Sequence, residues 1–283
     1  MSKKVLVVGT VRNCSKSLTR ALRVLEKELV EIGREPEFFL VESDSDDDTV
    51  NQLRDLSSTQ ANFRFVSFGK LQTTIPDRIQ RIAFCRNAYL EELEKLNLDE
   101  DRFPHLVVAD FDEVNSRIQF PRNGDWLFSG ESVFATNQFG RYYDILALRA
   151  EGWVEEDYRL STKRLLADGI RPLRAYLKSV SQKQVHIRSS TKAFEVQSAF
   201  GGLAIYPAKA LAGIRYVPEL LSGVFYECEH VSLSKSLRHK GTKIMIAPSL
   251  RNNGSLRHTF ASIPAVLFIL KALSTLRFPR RTN

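Results

Sequence analysis

The chain has 283 residues, 43% of them hydrophobic and 26% charged, with a formal net charge of +8 at pH 7 and a pI near 9.4. This length allows a full core, and because no apolar run reaches the ~20 residues of a membrane span, the composition argues against a transmembrane protein. Cys14, Cys85 and Cys228 form no CxxC pair, which argues against a zinc knuckle or a disulfide scaffold.

The first 110 residues alternate between strand and helix patterns. Strands are predicted at residues 5–8, 38–41, 63–68 and 106–109. Helices are predicted from Ser15 to Gly33, over 49–56, and from Pro76 onward. This order favours a mostly parallel sheet flanked by helices, in which ligands bind at the carboxyl ends of the strands.

The second half is less regular. Strands are predicted at residues 132–137, 196–206 and 243–247, and helices at 155–180, with a break near Gly169 and Pro172, and at 229–240. Because no repeat or linker is visible, we expect a single α/β domain over residues 1–262 with an appendage at 263–283.

The two ends of the chain bear on location. The N-terminal MSKKVLVVGT is typical of a first strand and not of a signal peptide. Residues 263–283 are apolar and then basic, which favours either a helix packed on the domain or one lying on an anionic membrane surface. Together with the unpaired cysteines, this predicts a cytoplasmic protein, with peripheral contact to the inner membrane surface as an option for the tail.

Carboxylates follow the predicted strand at 106–109 without a spacer. Asp110, Asp112 and Glu113 are close enough to repel one another, and the strand before them is apolar. Oxygen ligands suit Mg²⁺ or Mn²⁺, and such an ion neutralises the diphosphate of a nucleotide-sugar. We therefore expect Asp110 and Asp112 to hold metal and diphosphate, and Glu113 to pair with an Arg or orient the loop.

Other residues are candidates for the same ligand. Arg78, Arg81 and Arg86 share the preceding helix, where they bind phosphate or form a solvated face. Gly202 either allows backbone to approach the sugar or marks a β-bulge. A further group frames an acceptor sugar or packs in the core: Arg141, Tyr142, Tyr143, Asp144 and Trp153.

Taken in order, these segments resemble the GT-A type of glycosyltransferase, which uses nucleotide-sugars. VESDSDDDT resembles its V-D-D-G-S-x-D-x-T segment, Asp110 and Asp112 match its D-x-D motif, and GTVRN is similar to its opening V-R-N. QFGRYYDILALR looks like the Y-Y-D-x-x-A-L-R segment of capsule-type members, and CEHVSLSKSLRHKGTKI resembles the late E-D-x-x-L-x-x-R-x-x-x-x-G helix. The nearest subgroup is the capsule-associated α-1,3-mannosyltransferase-like enzymes.

The resemblance implies a role for several residues. Glu42 would meet the nucleoside, although Ser43 and Asp44 depart from the family's Asp and Gly. Arg12 would lie beside the nucleotide. His258 would be a third metal ligand, if it is not simply a surface residue.

The family's late acidic pair is Glu229-His230 in this chain, where inverting members usually carry Glu-Asp. Either residue can act as a base towards an acceptor hydroxyl, which implies inversion. If neither contacts the acceptor, a retaining reaction follows. The structural alternatives are a helix-capping carboxylate and a core imidazole.

These observations favour a metal-dependent hexosyltransferase that uses a GDP- or UDP-sugar and Mn²⁺ or Mg²⁺, acts on a glycan acceptor, and serves cell-surface polysaccharide or glycan synthesis. A sugar-nucleotide nucleotidyltransferase is the first alternative, but GTVRNCSKS carries one Gly where a triphosphate loop needs several. A dinucleotide oxidoreductase lacks its G-x-G-x-x-G motif. A nucleic-acid-binding module would cluster basic and aromatic residues, whereas basic residues here look scattered and the acids gather at strand ends.

Overall fold

A computed structural model of the chain describes residues 3–97, 102–254 and Leu270. The strands are β1 (Lys4–Val11), β2 (Glu35–Glu42), β3 (Phe63–Ser67), β4 (His105–Ala109), β5 (Ile118–Gln119), β6 (Val133–Gln138), β7 (Phe194–Val196), β8 (Leu203–Pro207), β9 (Leu220–Leu221), β10 (Phe225–Tyr226) and β11 (Ile244–Asn252). The helices are α1 (Leu18–Glu31), α2 (Thr49–Thr59), α3 (Arg78–Leu96), α4 (Tyr158–Ala167), α5 (Pro172–Tyr176), α6 (Ala208–Leu211) and α7 (Glu229–His239), with a π-helical turn at Leu177–Ser181.

One sheet organises the molecule. Its strand order is β3-β2-β1-β4-β8-β6-β11-β5, with β7 paired to β11. The first four strands in this order are parallel, β8 runs antiparallel to both β4 and β6, and β11 is parallel to β6. The predicted single α/β domain with a mostly parallel sheet is confirmed.

Both faces of the sheet are buried. Successive side chains of a strand point to opposite faces, and those of β1 are buried on both. Leu6 and Val8 of β1 belong to the core cluster that includes residues of α3 and α7, and Val5 and Val7 belong to the cluster that includes residues of α1. Because β1, β2 and β4 are parallel, their carboxyl ends lie at the same edge of the sheet, between the helices that cover its two faces.

The ends of two elements depend on glycine. Gly33, at φ +76°, ends α1 as predicted, and the N–H groups of Gly33 and Arg34 donate to the carbonyls of Val30 and Leu29. The strand predicted at 196–206 is instead divided into β7 and β8. Gly201 and Gly202 both have positive φ, 70° and 86°, which an extended strand cannot contain.

The helix start predicted at Ser15 lies two residues too early. Ser17 is the N-cap of α1, and Ser15 donates through its backbone N–H (3.1 Å) and its hydroxyl (2.6 Å) to Asp47 in the turn after β2. Ser15 thus joins two strand ends and does not cap the helix.

In the part of the chain that the structure describes, no helix is both long and apolar enough to cross a membrane. The proposed tail at 263–283, apart from Leu270, lies outside the described residues, as does His258.

Candidate active site

A cavity of about 440 Å³ opens at the carboxyl ends of β1, β2 and β4. Residues that follow these three strands line it, and so do residues of α3 and the first turn of α7. The wall includes these predicted site residues: Arg12, Arg78, Arg81, Arg86, Asp110, Asp112, Tyr143, Asp144, Glu229 and His230.

Asp110 is the first residue after β4, and its backbone is held on both sides. Its N–H donates to the Gly202 carbonyl (2.9 Å), and its own carbonyl accepts from Asn115 Nδ2 (2.7 Å). The side chain is 30% exposed. Burial, followed by repulsion from the Asp112 carboxylate, raises the pKa of Asp110 to about 8. Ionisation of Asp110 is therefore opposed by its own burial and by its acidic neighbour.

Asp112 lies on the same wall but is exposed to solvent. Its Oδ1 accepts from the Val114 N–H (2.9 Å) and caps the short 3-10 turn Glu113–Asn115. This cap fixes the backbone that carries the carboxylate. Glu113 is exposed and does not lie on the cavity wall.

Arg86 is the internal counter-ion of this wall. Only 4% exposed, it places Nη2 3.6 Å from Asp110 Oδ1 and Nε 3.2 Å from Glu229 Oε1. Its guanidinium lies 5.1 Å from the Phe200 ring centroid. Arg86 is thus engaged with two carboxylates, whereas Arg12 and Arg78 are exposed.

The chemistry of these donors fits a divalent cation. Two carboxylates on one wall, one of them with a raised pKa, supply hard oxygen ligands of the kind Mg²⁺ and Mn²⁺ prefer. Among residues 3–97 and 102–254 no group of three or more His, Cys, Asp or Glu side chains is arranged to hold a metal. Such an ion would therefore complete its coordination with substrate oxygens, water or residues outside these ranges.

The acidic turn at the end of β2 contains two buried carboxylates, Glu42 and Asp44, in different positions relative to the cavity. Glu42 is 1% exposed, lies off the cavity wall, and accepts from Ser45 N (2.9 Å) and from the Ser67 hydroxyl. Asp44 does lie on the wall, with φ +61° and with Oδ2 3.4 Å from Arg81 Nε. In the sequence, the only signal for Asp44 is its place where the GT-A segment usually carries a glycine.

Glu229 and His230 open α7 and are 4% and 3% exposed. The His230 ring stacks on Phe200 with centroids 3.8 Å apart and an interplanar angle of 18°. Burial, and then the charge of Arg86, lower the pKa of His230 well below its usual 6.5, so the imidazole is neutral at pH 7. Neither ring nitrogen has a hydrogen-bond partner among the described residues. His230 is therefore a neutral, buried imidazole whose protonation is opposed by burial and by Arg86.

Gly202 lies behind the wall, where a Cβ would approach Val114 Cγ1 to 2.5 Å and the Tyr143 hydroxyl to 2.9 Å. Its carbonyl accepts from Asp110 N and from Asn115 Nδ2 (2.6 Å). The close backbone approach is to the Asp110 loop, and contact with a sugar stays a prediction.

The group expected to frame an acceptor is divided. Tyr143 and Asp144 line the cavity, and Asp144 Oδ2 accepts from Gly201 N (2.9 Å) while burial raises the pKa of this carboxyl. Tyr142 is fully buried. Arg141 and Trp153 lie off the wall, where Arg141 donates to the Gln184 carbonyl (2.6 Å) and Trp153 donates to the Lys183 carbonyl (2.7 Å). Tyr158, Tyr176 and Gln184 also line the cavity, and no sequence signal singled them out.

Comparisons with known proteins concern the fold. No family model matches the chain, and no curated protein matches its sequence. The structure of S. aureus TarS overlaps 95% of this chain and 39% of its own at 13% identity with a TM-score of 0.50, so this chain spans about two fifths of that protein. A mannosyltransferase from Pyrobaculum calidifontis, solved with GDP-Man and Mn²⁺, gives 14% identity and a TM-score of 0.44. The overlap covers 97% of this chain and 65% of that one. A glucosyl-3-phosphoglycerate synthase from Mycobacterium tuberculosis, solved with Mn²⁺, UDP and phosphoglyceric acid, gives 16% identity, coverage of 80% of that chain and 97% of this one, and a TM-score of 0.41. At 13% identity the likeness to TarS shows a shared fold and no more, and the GT-A-like α/β fold is confirmed.

Proposed function

We propose that the chain is a metal-assisted glycosyltransferase that moves a hexose from a UDP- or GDP-sugar to a hydroxyl of a glycan acceptor, in cell-surface polysaccharide or glycan synthesis. The observation that carries the proposal is the meeting of two carboxylates, Asp110 and Asp112, with the exposed guanidinium groups of Arg12 and Arg78 in one cavity. A diphosphate with a divalent cation complements both kinds of group.

On the donor side, Asp110 and Asp112 would hold Mn²⁺ or Mg²⁺. The ion, when bound, supplies neutralising charge to the departing diphosphate. Arg12 and Arg78 orient the phosphates from the exposed wall, and Arg86 keeps Asp110 and Glu229 in position from inside. Asp44 is as buried as Glu42 and its Oδ1 accepts from Gln72 N (2.8 Å), but its Oδ2 has no hydrogen-bond donor among the described residues. Since Asp44 also lies on the wall, it is a better placed partner for the nucleoside than Glu42, whose oxygens accept from Ser45 and Ser67.

On the acceptor side, Glu229 and His230 are the candidate bases. The nitrogens of His230 have no hydrogen-bond partner among the described residues, which supports it as the group that meets the acceptor hydroxyl, although its lowered pKa makes it a weak base. Glu229 already pairs with Arg86 at 3.2 Å, which supports a positioning role for it. A base at either residue implies inversion at the anomeric carbon. NMR that compares the anomeric configuration of the product with that of the donor distinguishes inversion from retention.

The proposal is tested with a panel of UDP- and GDP-sugars in the presence of MnCl₂, with release of nucleoside diphosphate as the readout. We expect turnover of at least one donor, lowered roughly 100-fold by Asp112→Asn. Glu113→Gln is the matched control, since it removes an adjacent, exposed carboxylate that lies off the wall. Equal turnover by Asp112→Asn and the wild type, or no nucleoside diphosphate binding by calorimetry, contradicts the proposal.

A further inference from the structure

One segment, residues 158–192, carries the whole net charge of the chain. It contains nine Lys and Arg and a single acid, Asp168, which gives a net charge of +8. Since the chain has 41 Lys and Arg and 33 Asp and Glu, the rest of it holds 32 of each and is neutral. The excess of basic over acidic residues is therefore concentrated in this stretch, although 32 of the 41 basic residues lie elsewhere in the chain.

The segment folds as α4, α5, the π-helical turn and the loop after it, and most of its charge is exposed. Arg159 bonds to Asp157 (2.7 Å) and Arg164 to Glu156 (2.8 Å). Five other basic residues are exposed and form no ion pair with a described residue: Lys163, Arg174, Lys178, Arg188 and Lys192. Such a surface is electrostatically incomplete and attracts anions from solution.

The same segment forms one side of the cavity. Tyr158, Tyr176, Val180 and Gln184 line it together with Asp110 and Asp112. The Tyr176 side chain is also 40% exposed, so its ring spans from solvent to the wall. A ligand bound along the basic segment would therefore extend into the cavity that contains the predicted metal and donor site.

We propose that the acceptor is a glycan that carries phosphate or carboxylate groups, bound along residues 158–192 with a sugar ring against Tyr176. The inference rests on the proposed glycosyl transfer and names the class of its acceptor. A neutral glycan would gain nothing from the concentrated charge, whereas an anionic one is steered to the cavity and held there.

An anionic bilayer would meet the same charge but needs a broad apolar face as well. The segment exposes three large apolar side chains, Leu166, Leu173 and Tyr176, and Tyr176 belongs to the cavity wall. The observations therefore favour a glycan over a membrane.

The test compares two triple variants of equal charge. Lys163→Gln/Arg174→Gln/Lys178→Gln changes the basic segment, and Arg23→Gln/Arg54→Gln/Lys95→Gln changes exposed cations on α1, α2 and α3. None of the six residues lines the cavity. The probes are fluorescein-labelled dextran phosphate, polygalacturonate and neutral dextran of one length, whose binding is followed by anisotropy. The two charged probes distinguish phosphate from carboxylate recognition.

We expect dextran phosphate or polygalacturonate to bind, neutral dextran not to, and the segment variant to bind roughly ten-fold more weakly at low salt while the control variant stays within two-fold of the wild type. Donor hydrolysis should be retained in both variants. Equal binding by all three probes, or equal loss in both variants, overturns the inference. Tighter binding to vesicles of phosphatidylcholine and phosphatidylglycerol, or to a single-stranded RNA of similar charge, also overturns it. If the wild type hydrolyses no donor, the proposed function itself has failed.

Discussion

Acidic clusters follow both β2 and β4, on either side of β1, and their electrostatics are opposite. In the first, slight desolvation opposes ionisation of the exposed Asp47, but hydrogen bonds from Ser15 and Thr49 lower its pKa to about 2. In the second, burial and the neighbouring Asp112 raise the pKa of Asp110 to about 8. Acid content alone therefore does not mark a cation site, and the supply of nearby donors decides which cluster needs an external positive charge.

The largest effect is expected from removing the internal cation of the second cluster. Arg86→Met leaves Asp110 and Glu229 without their buried partner, and loss of one member of such a group costs about 3–5 kcal/mol in the free energy of unfolding. Urea unfolding at neutral pH measures this. Arg78→Met is the matched control, because Arg78 is exposed on the same helix, and we expect it to change stability by less than about 0.5 kcal/mol. A loss below about 1 kcal/mol for Arg86→Met would show that Arg86 does not compensate the cluster.

His105, at the other end of β4, tests whether burial itself shifts a titratable group on this strand. Burial, and then the charge of Arg34, lower the pKa of His105 to about 4, and its ring meets Phe128 edge-on at 5.4 Å. Between pH 6.5 and 4 the unfolded chain binds a proton that the folded chain does not, so stability falls as the pH falls through this window.

The expected loss is about 1.4 kcal/mol per pH unit from this residue. His105→Leu should flatten the profile of unfolding free energy between pH 6.5 and 4, whereas His239→Gln, at the exposed end of α7, should not. Parallel profiles for His105→Leu and the wild type would mean that β4 is better hydrated than its burial indicates, which would also weaken the explanation for Asp110.

Two carboxylates of the turn after β2 should differ in their effect on nucleotide binding. Glu42→Gln should leave the Kd for UDP or GDP within two-fold, because the side chain is buried off the cavity wall. Asp44→Asn should weaken binding roughly ten-fold, because Asp44 lies on the wall beside Arg81. Calorimetry measures both, and near-UV circular dichroism checks that each variant is folded. If Glu42→Gln weakens nucleotide binding more than Asp44→Asn does, Glu42 is the residue that contacts the nucleoside.

The sequence predicted local order better than the assembly of the sheet. The strands and helices of the first 110 residues follow from periodic patterns, and Asp110 and Asp112 were recognised because they adjoin a strand directly. The insertion of β8, antiparallel, between β4 and β6 was not predictable, because such pairing depends on contacts far apart in sequence. For the same reason Tyr158 and Tyr176 gave no signal, since only the path of the chain brings α4 and α5 to the cavity.

The smallest expected effects test directly whether the acidic clusters after β2 and β4 differ in their electrostatics. Asp47→Asn weakens a carboxylate that accepts from Ser15 and Thr49, and we expect it to cost about 1 kcal/mol. Asp110→Asn removes a partly buried carboxyl whose ionisation is opposed by burial and by Asp112, and it leaves Arg86 paired with Glu229, so stability should stay equal or rise by up to about 1 kcal/mol. Urea unfolding in the presence of EDTA measures both. Opposite signs mean that the first cluster has enough donors and the second lacks positive charge. If both variants lose the same free energy, Asp110 is already well compensated within the protein, and the electrostatic case for a cation beside it no longer holds.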